Sequence, residues 1–189
     1  MKSMSSVKKS CVCAICIALC YVLPVAFHAL GVGNAFSPMH LPVLLCGLLL
    51  GPGYGGFCGI AGPLISASTG MPSFVQCLYM VPELFVYGLT AGALMRHIHT
   101  RRLTLDVLLC LIPAMVLGRI AGGLARMAVI RVLSTGEAFG LAVWVSAYFA
   151  GTLPGIVLQL VALPVLVLTL EKARVIPPRY IPQGGMPHG

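Results

Sequence analysis

The sequence predicts an all-α integral membrane protein, a bundle of six transmembrane helices with N- and C-termini in the cytoplasm. Composition, the lengths of the apolar runs and the placement of basic residues lead there. Of the 189 residues, 59% are hydrophobic and 8% charged, with a mean hydropathy of +1.01. That leaves too little polar surface to coat a water-soluble globule. Six spans of about 20 residues use roughly 120, so there is room for short connections and none for a sizeable soluble domain. Twelve Lys and Arg against four Asp and Glu give a charge of +8. These bases sit at the ends of apolar runs without interleaved aromatics, which is a topology signal and not a nucleic-acid face. No GxxxxGK[ST] loop is present, and no HExxH or GxSxG motif, so neither a nucleotide site nor an enzyme is expected.

Residues 1–10, with Lys2, Lys8 and Lys9, are expected as a cytoplasmic N-terminus. Span one, 11–30, is too long for a secretory signal, and Ala26-Phe27-His28-Ala29 puts bulky residues where a cleavage site wants small ones, so it is read as an uncleaved anchor. Residues 31–38 (GVGNAFSP) form a turn. The runs 39–50 and 57–67 flank a glycine-rich turn at 51–56. About a dozen residues cover only ~18 Å, so these runs either recruit turn residues or sit inside protein. Gly47, Gly51, Gly55 and Gly59 recur every fourth position, a spacing that lets helix backbones approach closely. Spans four and five are expected at about 74–95 and 103–130, and span six lies within 136–170. The transmembrane domain thus covers 11–174, and the Pro/Gly-rich segment 175–189 is expected to be a disordered cytoplasmic tail. Lys2, Lys8, Lys9, Arg96, Arg101, Arg102, Lys172, Arg174 and Arg179 then share one side, against Arg131 on the other, which requires an even number of crossings.

The informative residues are those that resist burial in lipid: His28, His40, Glu83, Arg119, Arg126 and Gln159. An ionised group at mid-span costs ~3 kcal/mol on insertion scales, so each needs a partner or a wet cavity. Arg119, Gly122, Gly123 and Arg126 follow i, i+3, i+4, i+7, which puts both guanidinium groups on one face around a glycine gap. Glu83 and Arg126 fall at similar depths on antiparallel spans. Two readings stand side by side: Glu83 and an arginine pin two helices, or the excess positive charge binds a ligand carboxylate or phosphate. His40, beside the 31–38 turn, is read as facing ligand or water. Trp144 and Tyr148 are interfacial anchors or part of the pocket, and Gln159 is expected to satisfy backbone groups freed by Pro154 and Pro164. Of eight cysteines, Cys13 and Cys16 form a lone CxxC; all are read as small buried thiols, with no metal or cofactor.

Ser37-Pro38-Met39-His40-Leu41-Pro42-Val43-Leu44-Leu45-Cys46-Gly47 resembles the substrate-binding S components of energy-coupling factor (ECF) vitamin transporters. The likeness continues through Gly51-Pro52-Gly53-Tyr54-Gly55, Gly70-Met71-Pro72, Glu83 with Tyr87-Gly88, Gly118-Arg119-Ile120 and Pro154-Gly155-Ile156-Val157-Leu158-Gln159-Leu160. The resemblance implies a subunit of the bacterial cell membrane that captures a vitamin or precursor from outside. It would dock on a membrane coupling subunit and two ATPase subunits, which use the ATP, and deliver substrate by tilting. Arg119, Arg126 and Glu83 would be polar anchors for a small anionic substrate such as pantothenate or niacin. Asn34, His40, Tyr87 and Trp144 would supply shape and hydrogen bonds, while Ala14 and Ala18 match the AxxxA surface that meets the coupling subunit. Members often carry an arginine just before Gly-Met-Pro, where this chain has Ser66-Ala67-Ser68-Thr69, and Arg126 is expected to take over its contact. The competing reading is a proton-coupled carrier working alone, with Glu83 as the proton site.

Overall fold

The computed structural model describes residues 4–31, 33–133 and 140–180, without the side chains of Asn34 and Ala35. Its regular elements are helices: α1 (Ser6–Ala29), α2 (Gly33–Phe36), α3 (His40–Leu50), α4 (Pro52–Ala67), α5 (Phe74–His97), α6 (Leu103–Leu133), α7 (Leu141–Val145) and, after the π-helical turn Ser146–Ala150, α8 (Leu153–Lys172). Four of them, α1, α5, α6 and α8, are long and apolar enough to cross a membrane. Helix α5 packs against α3, α4 and α6, and α1 closes over α3 and α4.

The glycine-rich turn expected at 51–56 contracts to one residue. Gly51 has φ 96°, a left-handed conformation open to glycine, and Pro52 starts α4 with a ring already set at helical φ. Pro52–Gly56 therefore join α4 and lengthen it, while the 11-residue α3 survives by burial: His40, Pro42 to Leu48 and Leu50 are all buried. The four-residue glycine spacing is used on α5. A β-carbon on Gly47 or Gly55 would run into the carbonyl of Gly88, and one on Gly59 into the backbone of Leu84. Backbones thus meet where side chains would otherwise separate the helices.

Three further boundaries differ from expectation. Helix α1 begins at Ser6, because the Ser5 side chain accepts the Lys8 N–H, so 6–10 are helical. The last long helix starts only at Leu153, after the short α7 and the π-helical turn. The tail expected to be disordered from 175 is packed through Tyr180. Arg179 Nε donates to Asp106 Oδ2 at 2.9 Å, its Nη2 donates to the carbonyls of Met95 and Ile98, and the Tyr180 hydroxyl donates to Asp106. Asp106 is fully buried, so this charge-assisted clasp is what keeps its carboxylate paired. Residues 181–189 lie outside the described residues.

Candidate functional site

At the opposite end from that clasp, a cavity of about 530 Å³ opens between α1, α5, α6 and the segments 33–40, 70–73 and 147–152. Helix α5 contributes Gln76, Tyr79, Met80 and Glu83, successive positions of one helix face. A capping box between Ser73 and Gln76 fixes its first turn. Ser66, buried at the end of α4, donates to the Met71 carbonyl at 2.7 Å and so holds the 67–73 connection against the opening.

Glu83 is 5% exposed, and His40 Nε2 lies 3.2 Å from its Oε1. His40 Nδ1 lies 3.1 Å from the Ser37 carbonyl, which can only accept, so that nitrogen carries a proton. The bond to Glu83 then needs a second proton, on Nε2 or on the carboxyl. One ionisable proton is therefore shared by the pair. The carboxylate fits against Gly122, where a β-carbon would approach Glu83 Oε2 to 2.6 Å. The glycine gap between Arg119 and Arg126 is thus the seat of an acidic group, giving the cavity wall alternating charge along α6.

Arg119 and Arg126 both line the cavity, as the helical spacing predicted. Arg126 stacks over Tyr79, 5.4 Å from the ring centroid. Arg119 is 2% exposed; its Nη1 donates to Thr152 Oγ1 at 2.7 Å, and its Nε has no hydrogen-bond partner among the described residues. A buried guanidinium N–H without an acceptor is unfavourable, so Arg119 keeps an unused donor within the cavity wall. His28 also lines the site, with Nδ1 2.8 Å from the Pro24 carbonyl.

Other expectations are relocated. Tyr87 is buried, edge-on to His40 at 4.9 Å, and is not among the residues lining the cavity. Trp144 stands behind the wall: its indole N–H donates to the Arg119 carbonyl at 3.2 Å and its ring rests on Gly123. Among the described residues the Gln159 amide has no hydrogen-bond partner on either atom, so it does not serve the backbone groups freed by Pro154 and Pro164. The side chain of Asn34 lies outside the described residues. Ala14 and Ala18 are exposed on α1, while Cys13, Cys16 and Cys20 occupy its buried face. Thr152 was not signalled by the sequence, since a threonine between two short helices looks like any loop hydroxyl. Tyr79 and Gln76 were readable from Glu83 by helical spacing.

Among the described residues, an apolar helical bundle around a polar cavity walled by arginines and a His–Glu pair is the architecture of a membrane protein that binds a small molecule. Residues 8–167 match the family model described as ECF transporter, substrate-specific component, and the chain belongs to that family. It is thus a multi-pass membrane protein and the substrate-specific component of an ECF transporter. No curated protein and no solved structure matches it.

Proposed function

We propose that the cavity captures a small organic anion, a vitamin or vitamin precursor such as pantothenate or niacin, at the outer face of a bacterial plasma membrane. The observation that carries this is Arg119, buried in the cavity wall with an unpaired Nε, beside a second arginine on the same face. Arg126 supplies the contact that relatives place before Gly-Met-Pro, and Glu83 with His40 holds hydroxyl or amide groups of the ligand.

Six crossings follow if α3 and α4 each cross within protein, with both termini and the Arg179 clasp cytoplasmic; the basic ends of α5 and α8 support this. Ala14 and Ala18, exposed one turn apart, form a flat surface for the coupling subunit. That subunit and two ATPases complete the importer, and the loaded chain tilts to release substrate inward. The His40–Glu83 proton favours one second reading, a carrier driven by protons without partners.

Reconstitution separates the two. The chain alone in vesicles should bind substrate without accumulating it, and uptake should require the coupling subunit, the ATPases and ATP. Accumulation by the chain alone under an imposed proton gradient would overturn the proposal.

A further inference from the structure

Segment 141–152 meets α6 at Arg119 and at Gly123, where the Trp144 ring rests. Trp144 donates to the Arg119 backbone carbonyl at 3.2 Å, and Thr152 accepts from Arg119 Nη1 at 2.7 Å. Between them Phe149 lies under the guanidinium, 5.4 Å from its carbon. Leu141, Val143 and Val145 are exposed, so α7 has little hold of its own on the bundle. The roles at Thr152 are fixed: its hydroxyl proton goes to the Tyr148 carbonyl at 2.7 Å, which leaves the oxygen as acceptor for Arg119. Thr152 itself lines the cavity.

We infer that Thr152 is a positioning residue: it holds the Arg119 guanidinium in the cavity wall, where a ligand carboxylate can take up its remaining donors, and it makes segment 141–152 move with that arginine. The inference rests on the substrate-capture reading and adds to it a residue and a coupling. A carboxylate on the guanidinium uses donors that the Thr152 bond leaves over, so ligand and threonine can hold it together. Fixing the guanidinium also holds Phe149 beneath it and, through the Thr152–Tyr148 bond, Tyr148 in the cavity wall. A valine at 152 keeps the shape and removes the acceptor; a serine keeps both the acceptor and the donor.

Trp144 is the chain's single tryptophan and reports on this segment. The full chain in lipid nanodiscs is compared as wild type, Thr152→Val and Thr152→Ser. Without ligand, acrylamide should quench Trp144 more strongly in T152V, with red-shifted emission, and T152S should match wild type. Titration with nicotinate against nicotinamide, and pantothenate against panthenol, should show wild type and T152S preferring the acid. T152V should lose roughly tenfold or more of that preference, as for one hydrogen bond to a charged group. T152V that quenches as wild type, or that keeps the full acid preference, overturns the inference. If none of the four probes moves the wild-type signal, the quenching comparison alone decides. A T152S protein that behaves as T152V also overturns it, since the hydroxyl is then not what matters. Failure of the substrate-capture reading shows elsewhere, as ATP-independent accumulation in vesicles.

Discussion

At Glu83 a carboxylate is kept inside a membrane bundle by three separate provisions: a histidine from α3, a proton shared with it, and a glycine on α6 that leaves the space. Removing one provision exposes the cost of the others. His40→Ala should lower stability by about 3 kcal/mol, because an unpaired buried charge remains, and His40→Gln should recover part of it; thermal unfolding in detergent reads the difference. Arg126→Ala should weaken ligand binding roughly tenfold to a hundredfold while leaving the melting temperature near that of wild type; an unchanged affinity would dismiss its role. Residue identity was legible from the sequence because charged side chains are rare in apolar runs. Partnership was not. The depth argument set Arg126 against Glu83, whereas the contribution of His40 depends on how α3 sits against α5, which no local pattern records. Trp144 was misplaced for a similar reason: an aromatic near a span end fits an interfacial anchor, and only the notch at Gly123 turns it behind Arg119.

Helices α3, α4 and α5 show how glycine spacing becomes architecture. Gly47, Gly55 and Gly88 bring three backbones together, whereas Gly53 faces open space. Gly88→Ala should cost about 1–3 kcal/mol or more through overpacking, and Gly53→Ala should be neutral or slightly stabilising through helix propensity. Equal unfolding temperatures for the two variants would contradict the packing argument. The repeat was visible in the sequence, and so was the shortness of the two runs. What the sequence left open was the extent of the turn, since Pro52 and the glycines after it fit a loop as well as a helix start. The π-helical turn at Ser146–Ala150 had no sequence signal, because its residues are ordinary helix formers and the break arises where Thr152 and Tyr148 bond.

Across the whole molecule, the two ends of the bundle are held differently. One end is open around the cavity; the other is stapled by Arg179 and Tyr180 onto Asp106, which Thr100 also caps through its backbone N–H at 2.7 Å. Composition predicted the tail's flexibility and missed this, because a single arginine decides it from 73 residues away. Asp106→Ala should free the tail, so that trypsin cleaves after Arg179 markedly faster than in wild type while the cavity still binds ligand. The reading of the molecule as a whole rests on what the open end holds. The most direct measurement is mass spectrometry of the small molecule that copurifies with the detergent-solubilised chain, from wild type and from Arg119→Gln. The account predicts an organic acid present in wild type and depleted in R119Q. A neutral or cationic molecule, retained equally by both proteins, would contradict it.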